Sequence, residues 1–215
     1  IPWLDPDGVP TVGDWFRAGL DGILDRYRRA RAEERLDSSH PLWGHAKRLR
    51  ADLEATPIVR ERPNVNVRWS FGQGAWARIP WLALLDDRVA KATSDGVYVI
   101  YLFREDMSGV YATLNQGITK AKERLGSEAG RETIRQRSEE LRRFAGRLSE
   151  AGFALSNEIE LHTEHSLGKD YQHGTVAHRL YESGCVPPTR ALLEDLRLLV
   201  DAYDGIVTAQ LARRV

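Results

Sequence analysis

The hydrophobic pattern of this chain changes period several times, from helical to strand-like and back. Apolar positions recur at helical spacing over residues 11–36, and Pro41 begins a second helical pattern that continues to residue 55. Apolar and polar residues then alternate over 65–71, which predicts a half-buried β-strand. Two more apolar runs, at 75–85 and 97–103, predict further strands.

Turn residues separate the predicted strands. Gly72-Gln73-Gly74 predicts a tight turn after the first strand, and Ser94-Asp95-Gly96 predicts a turn before the third. Pro80 lies within the second run, where it predicts an edge, a bulge or a bend because proline has no N–H to donate. Asp106-Met107-Ser108-Gly109 predicts a hairpin that leads into a fourth strand over 110–114.

The second half of the chain carries weaker patterns. A charged helix is predicted over residues 127–149, a strand over 153–161, a polar loop over 162–174 and a short helix over 175–181. A last helix is predicted from Pro187 through Tyr203. Together these elements predict the α+β class, with one curved, mostly antiparallel or mixed β-sheet packed by helices.

The same patterns suggest how the chain is divided. Residues 1–60 are predicted to form a helical N-terminal extension, beginning with a loop over 1–10, that packs on a main domain over 61–215. The chain begins with Ile1 rather than Met, which indicates a fragment of a longer protein.

Composition restricts the possible partners. The 215 residues have a formal net charge of zero and a pI of about 7.2, so a polybasic nucleic-acid coat is excluded and any DNA contact must use a local patch. Most cations are Arg, which suits bidentate phosphate contacts. A lone Cys185 excludes an intramolecular disulfide and fits a reducing, cytoplasmic compartment. No apolar run is long enough to cross a bilayer, so no membrane partner is expected.

An ordered set of short motifs lies between residues 70 and 117. The set consists of Ser70-Phe71-Gly72-Gln73-Gly74, Trp76-Ala77, Ile79-Pro80-Trp81, Gly96-Val97-Tyr98, Tyr101-Leu102-Phe103 and Leu114-Asn115-Gln116-Gly117. In this order and spacing the motifs resemble the N-terminal domain of McrB, the recognition subunit of a methylcytosine-dependent restriction system. Weaker similarity continues through residues 171–181 and the last helix.

This resemblance implies a pocket for a flipped base. Trp81, Tyr98, Leu102 and Tyr171 match the residues that line this pocket in the family. Tyr98 and Leu102 are four positions apart on a predicted strand, so their side chains share one face. Without the resemblance, the pattern favours Trp81 as a core residue over a pocket wall, because most aromatic side chains pack in cores.

Gln73 is the predicted tip of the first hairpin. Glycines on both sides let the backbone approach DNA closely, and the resemblance implies a finger that fills the gap left by a flipped base. An aromatic residue occupies this position in the best-known member of the family. Gln can hydrogen-bond to the orphaned partner base, but it stacks poorly. An ordinary hairpin tip is the alternative interpretation.

Further polar residues near the turn are candidates for DNA contacts. Arg68, Ser70 and Arg78 flank the turn and are predicted to hold phosphates of the DNA backbone, with solvated surface as the alternative. Asn115 and Gln116 end the fourth strand, where their amides either contact a base or satisfy backbone groups of a turn.

The residues favour a binding module over an enzyme. His162, His165, His173, His178 and Cys185 match no standard zinc spacing, so neither a metal nor another cofactor is predicted. The sequence contains no nucleophile elbow, no phosphate-binding Gly-x-x-x-x-Gly-Lys loop and no nuclease-like cluster, so no catalytic residue is assigned. Any nuclease or GTPase motor would lie in another domain or chain.

Two hypotheses about function follow. The first is a sequence-tolerant DNA-binding module that flips a modified cytosine, most readily 5-methylcytosine, out of double-stranded DNA as part of a restriction or related system. The second is a non-enzymatic scaffold or small-ligand-binding domain whose aromatic residues are core. An open cavity among the aromatic side chains would favour the first hypothesis, and tight packing would favour the second. The modification itself does not follow from the residues.

Overall fold

A single five-stranded antiparallel sheet organises the structure. The computed structural model describes residues 13–213, so the loop predicted over 1–10 and the first residues of the predicted first helix lie outside the described part. The strands follow one another in the sheet in chain order. They are β1 (Val65–Gln73), β2 (Ala75–Asp86), β3 (Val97–Phe103), β4 (Gly109–Gln116) and β5 (Ala177–Glu182). The predicted α+β class is confirmed.

Helices surround this sheet. They are α1 (Trp15–Glu33), α2 (Pro41–Ala55), α3 (Pro57–Arg60), α4 (Thr119–Leu125), α5 (Ser127–Leu141), α6 (Gly146–Glu150), α7 (Ser166–Gly174) and α8 (Thr189–Ala212), with a 3₁₀ turn at Arg142–Phe144. The prediction for α2 is confirmed at both ends, because Pro41 is the first helical residue and a β-conformation at Thr56 ends the helix. The short helices α3 and α4 were not predicted.

One face of the sheet, here called the first face, is covered by α1, α2 and α8. Its core contains Phe16 and Leu20 of α1, Leu53 of α2 and Tyr203 of α8, all fully buried with the strand residues that alternate toward them. Both N-terminal helices therefore share the main core. The domain boundary at residue 60 stays a prediction.

The opposite face, here called the second face, is covered more thinly. Buried residues such as Ile100, Leu102 and Tyr111 point to it from the strands, and Ile159 and Leu161 cover them from an irregular segment. Trp81 and Tyr171 pack on this cluster but stay partly exposed. Because both faces are covered, every residue of β3 and β4 is buried.

The hairpin of β1 and β2 extends beyond the rest of the sheet. Strand β3 pairs with β2 only from Trp81 to Leu84, and the β1–β2 register shifts between Ser70 and Gly72. Pro80 lies in the part of β2 opposite this irregularity, in agreement with the edge, bulge or bend that the proline predicts. The hairpin end that precedes Trp81 therefore projects as an arm.

Three predictions for residues 153–181 are wrong. Residues 153–161 form no strand beyond an isolated bridge between Ala154 and His178, although Ile159 and Leu161 are buried as the alternation suggests. The predicted loop over 162–174 contains α7, and the predicted short helix over 175–181 is replaced by β5. Strand β5 forms because the free edge of β4 is available to it, and pairing across that edge overrides a local helical pattern.

The helix predicted over 127–149 is also wrong as a single element. It is divided into α5, a 3₁₀ turn and α6. The interruption lies just before Gly146, and glycine is the poorest helix former after proline.

Helices α1 and α8 cap each other. The Thr189 hydroxyl accepts hydrogen bonds from the backbone N–H groups of Phe16 (3.0 Å) and Arg17 (3.2 Å). In return, the backbone N–H of Thr189 donates to the Asp14 carboxylate at 2.6 Å. This exchange satisfies free N–H groups at both helix starts and places the two starts side by side. None of the helices between residues 13 and 213 is both long and apolar enough to cross a membrane.

Candidate nucleic-acid interface

An open cavity of about 180 Å³ lies on the second face of the sheet. Its aromatic walls are Trp81, Tyr98 and Tyr171, which come from β2, β3 and α7. The remaining lining residues are Thr93, Ser94, Gln116, Ile118 and Thr119. Three of the four residues predicted as pocket walls are therefore brought together.

The fourth predicted wall, Leu102, has a different place. It lies opposite Trp81 in the β2–β3 register and is fully buried in the second-face core, but it does not line the cavity. Its role in this structure is to support Trp81 from the neighbouring strand. The partial exposure of Trp81 is consistent with an indole at a cavity rim rather than in a closed core.

Tyr98 forms a rigid wall. Its ring is buried, and its hydroxyl donates a 2.9 Å hydrogen bond to the backbone carbonyl of Thr93, so both ends of the side chain are fixed. Burial raises the pKa of Tyr98 well above its ordinary value, which keeps this hydroxyl a donor. The Thr93 loop is held in turn by a 2.9 Å backbone hydrogen bond from Gly117 to Gly96.

Tyr171 is placed by contacts of its neighbours in α7. The preceding residue, Asp170, is buried and forms ion pairs with Lys122 (2.5 Å) and Arg131 (2.7 Å) from α4 and α5. Asn115 donates to the Tyr171 carbonyl at 3.3 Å and to the Thr175 hydroxyl at 2.9 Å. Burial raises the pKa of Tyr171 to about 12. These contacts hold a ring from a distant segment against the sheet.

The two amides at the end of β4 are turned toward protein groups. Asn115 is fully buried, and its side-chain oxygen accepts from the backbone N–H of Gln116 at 2.7 Å. Gln116 lines the cavity, but its side-chain nitrogen donates to the Ile134 carbonyl (3.1 Å) and the Ser138 hydroxyl (2.8 Å) of α5. Both side chains therefore hold the elements around the cavity together. This agrees with the alternative in which the amides satisfy protein groups rather than contact a base.

The hairpin tip Gly72-Gln73-Gly74 is exposed at the end of the projecting arm. Gly72 has φ 122° and Gly74 has φ 72°, and a Cβ on Gly72 would lie 2.0 Å from the Ala75 carbonyl oxygen. Glycine is therefore required at Gly72 for both conformation and space. The Gln73 side chain points from this constrained turn without contributing to a core.

A tyrosine on α1 fixes the base of the arm. The buried Tyr27 hydroxyl lies 2.9 Å from the carbonyl oxygens of Phe71 in β1 and Ala77 in β2. These oxygens lie where the regular β1–β2 pairing is interrupted. Trp76 adds an edge contact to Tyr27 and donates to the Glu34 carbonyl at 2.9 Å. Helix α1 thus determines the direction in which Gln73 projects.

Two of the predicted phosphate-binding residues, Arg68 and Ser70, lie on the same face of the sheet as Trp81. Ser70 lies opposite Trp81, and Arg68 lies opposite Ala83, so both share the second face with the cavity. The Ser70 hydroxyl accepts from the Gly72 N–H at 3.2 Å. Arg68 is exposed, with one guanidinium nitrogen 3.1 Å from Asp87 and another donating to the Lys91 carbonyl at 2.6 Å.

Arg78 lies in the bulge between the tip and Trp81. It is exposed, and its guanidinium forms a 2.8 Å ion pair with Glu105, which also pairs with Arg31 of α1 at 2.9 Å. Both arginines predicted to hold phosphates are therefore paired with a carboxylate.

The family of the chain follows from comparison with known proteins. A family model described as the MrcB-like, N-terminal domain matches residues 22–208, which include the cavity, the arm and both layers of the core. The chain belongs to this family. No curated protein matches it with significant similarity. The resemblance inferred from the motifs is thereby confirmed, and it supports a DNA-binding recognition domain that is not itself catalytic.

Several contributors to the site in this MrcB-like domain were not predicted. Thr93, Ser94 and Ile118 line the cavity from two loops that carry no functional motif, and Thr119 lines it from the first position of α4. The only available signal was their position beside Gly96 and Gly117, where the loops approach closely. A Cβ on Gly117 would lie 2.2 Å from the Asp95 backbone nitrogen.

Two histidines of the second half, His162 and His178, make contacts with polar side chains. His162 pairs with Asp106 at 2.7 Å, and His178 lies 3.1 Å from the Ser156 hydroxyl. Among residues 13–213, no group of three or more His, Cys, Asp or Glu side chains is placed to hold a metal ion. Cys185 is exposed.

Proposed function

We propose that this chain recognises modified cytosine, most readily 5-methylcytosine, in double-stranded DNA by receiving the flipped base in the cavity of Trp81, Tyr98 and Tyr171. The observation that carries the proposal is that this aromatic cavity is open rather than filled by protein. A base has to leave the duplex to be inspected on all its edges, and an aromatic slot accepts its flat surface.

The size of the cavity fits a single base. Its volume of about 180 Å³ is below the roughly 300–1,000 Å³ typical of pockets for drug-sized ligands. Base–aromatic stacking contributes about 1–3 kcal/mol. The buried hydroxyl of Tyr98 is already bonded to Thr93, so this wall offers its ring face and edge rather than a free polar group.

The position of the arm supports a contact between Gln73 and the gap that the flipped base leaves in the duplex. Gln73 follows Ser70 by three residues, which corresponds to about 10 Å of strand, and Ser70 lies opposite Trp81. A tip at this distance can enter the gap in the stack while the flipped base occupies the cavity. Arg68 and Ser70 lie on the same face, where they are available to the sugar–phosphate backbone.

A binding titration tests the proposal. Three duplexes of identical sequence should be compared: unmodified, hemimethylated and fully methylated. We expect tighter binding to modified duplexes, and Trp81→Ala should remove most of this preference while the fold persists. A fluorescent base analogue at the modified position should brighten on binding, because unstacking relieves its quenching. Equal affinity of the unaltered chain for all three duplexes would refute the proposal and favour a scaffold or small-ligand-binding domain.

The proposal assigns cutting to another domain or chain, such as a nuclease or motor effector. Modified DNA incubated with the purified chain, Mg²⁺ and GTP should remain intact. Cleavage that persists in a Trp81→Ala sample would indicate a contaminating nuclease. Cleavage that disappears with this substitution would show that the chain has an active site of its own.

A further inference from the structure

One carboxylate on the edge of the candidate interface holds three side chains from three segments. Glu105 follows β3, and its Oε1 accepts from Arg31 Nη2 at 2.9 Å and from Arg78 Nη1 at 2.8 Å. Its Oε2 accepts from the Thr163 hydroxyl at 2.5 Å. Two guanidinium groups thus converge on a single anionic oxygen beside the arm.

We propose that Glu105 is an internal stand-in for a DNA phosphate, which holds Arg31 and Arg78 in a phosphate-binding arrangement and lowers the affinity of the chain for DNA of any sequence. The proposal rests on the proposed function only in taking DNA as the partner. It adds a residue, Glu105, that limits the electrostatic part of binding, and it places Arg31 of α1 in the interface.

The geometry resembles that of an occupied anion site. Arginine is favoured for phosphate because its planar fork donates to anionic oxygens, and two such forks already meet at one oxygen here. The Arg78 side chain is 57% exposed and that of Arg31 is 29% exposed, whereas that of Glu105 is only 12% exposed. A phosphate can therefore approach Arg78 from solvent while Glu105 stays behind it.

The charge state of Glu105 supports this role. Burial alone would raise the pKa of Glu105, but hydrogen bonds from Thr163, Arg31 and Arg78 outweigh it, so the pKa lies below its ordinary value. The carboxylate is thus ionised at neutral pH and competes with any incoming phosphate. Arg68 also pairs with a carboxylate, through one ion pair with Asp87 at 3.1 Å.

Competition of this kind has a measurable consequence. DNA phosphates are present in modified and unmodified duplexes alike, so an internal anion weakens binding to both by the same factor. It also reduces salt dependence, because Arg78 already has a partner before DNA arrives. The affinity for every duplex is then lower, while the ratio of the affinities for modified and unmodified duplexes is unchanged.

Glu105→Gln is the decisive variant. Glutamine keeps an oxygen that accepts from Thr163 but removes the charge that holds the arginines. We expect Glu105→Gln to bind an unmodified duplex about tenfold more tightly at low salt, with a salt slope steeper by about one unit, the value for one phosphate contact. The affinity ratio between modified and unmodified duplexes should not change.

Glu194→Gln is the matched control. It removes the same charge from an exposed pair with Arg190 on α8, which covers the opposite face of the sheet. We expect less than a twofold change in this control. Equal slopes for Glu105→Gln and Glu194→Gln would overturn the proposal. Equal affinity of the unaltered chain for modified and unmodified duplexes, by contrast, would contradict only the proposed function.

Arg78→Ala keeps the test decisive if Glu105→Gln fails to fold. Arg31 still neutralises Glu105 in this variant, but the exposed guanidinium is lost. We expect weaker binding to modified and unmodified duplexes by the same factor. A salt series identical to that of the unaltered chain would exclude Arg78 as a phosphate ligand and would refute the proposal by itself.

Discussion

The two faces of the sheet use the same kind of residue for opposite purposes. On the first face, Trp69 packs 4.8 Å from Trp43 and 5.0 Å from Phe71, measured between ring centroids, in a cluster shared with α1 and α2. On the second face, Trp81 and Tyr98 leave a cavity between them. Helices cover the aromatic side chains of the first face, whereas a cavity with room for a ligand lies beside those of the second face.

The difference between the faces depends on strand position rather than on residue type. Trp69 lies opposite Leu82, and Trp81 lies opposite Ser70, so the two indoles sit on adjacent rungs of one ladder and point to opposite faces. A shift of one residue in register would exchange them. A count of aromatic residues over 64–117 therefore overstates the site, because only Trp81 of the three Trp in this range lines the cavity.

The largest expected effects come from truncating each indole in turn. Trp69→Ala should lower the free energy of unfolding by about 2–3 kcal/mol, because it removes a partly buried aromatic side chain that packs on the first-face core. Trp81→Ala should cost less stability but weaken binding to a modified duplex by at least tenfold, since stacking contributes about 1–3 kcal/mol. Urea unfolding measures the loss of stability of both variants, and duplex titration measures their loss of DNA affinity.

The comparison between faces would fail if the two variants behaved alike. Equal losses of stability with unchanged binding in both would mean that Trp81 is an ordinary core residue. The conservative variant Trp81→Phe is a useful control, because it keeps a ring in the cavity and should retain part of the affinity.

Tyr27→Phe should have the next largest effect and should connect the two faces. It removes only the hydroxyl that lies 2.9 Å from the Phe71 and Ala77 carbonyls, at a cost of about 1–2 kcal/mol for buried acceptors left without a donor. Amide hydrogen exchange should accelerate in the arm from Gly72 to Ala77 more than in β3. Uniform acceleration across the sheet would instead assign Tyr27 a general role in stability.

Substitution of Gln73 should affect kinetics rather than stability. The side chain is exposed, so Gln73→Ala should leave the melting temperature unchanged and raise the dissociation rate from modified DNA by about threefold to tenfold, the size of a hydrogen bond. Gln73→Tyr should slow dissociation, because a ring fills the gap in the stack better than an amide. Unchanged dissociation rates in both variants would identify Gln73 as only a turn residue.

The smallest effect is expected from Arg68→Ala. Loss of one phosphate contact should lower the salt slope by about 0.9 units, and the existing pairing with Asp87 should reduce this further. A salt series on an unmodified duplex provides the measurement. If neither Arg68→Ala nor Arg78→Ala changed the salt slope, the DNA-binding face would lie elsewhere, for example on the Arg-rich helix α1.

Local pattern predicted the parts of the fold whose partners are close in sequence. The hairpins around Gly72–Gly74 and Asp106–Gly109 follow from turn residues that lie between alternating or apolar runs. Tyr98 and Leu102 could be placed on one face from spacing alone, because they lie four positions apart on one strand. The cavity that Tyr98 lines did not follow from spacing, since its size depends on loops and on a helix from residue 166 onward.

The failures lie where tertiary contacts replace local preference. Helix α7 contains two glycines and has weak intrinsic helical preference, but buried Asp170 ties it to Lys122 and Arg131. The alternation over 153–161 correctly indicates that Ile159 and Leu161 are buried on one side. One buried side is a property of a strand, but also of an irregular segment that covers a sheet. Periodicity detects a buried side, but it does not detect a hydrogen-bonding partner.

The reciprocal capping of α1 and α8 also fixes where the chain enters and leaves the domain. The two helices begin side by side at Asp14 and Thr189, so the last residue of α8 lies at the far end of a 24-residue rod, about 36 Å away at about 1.5 Å per residue. A polypeptide joined after residue 212 therefore departs one helix length from the point where α1 begins. Any such polypeptide is kept at a fixed distance from the start of α1 by one continuous helix.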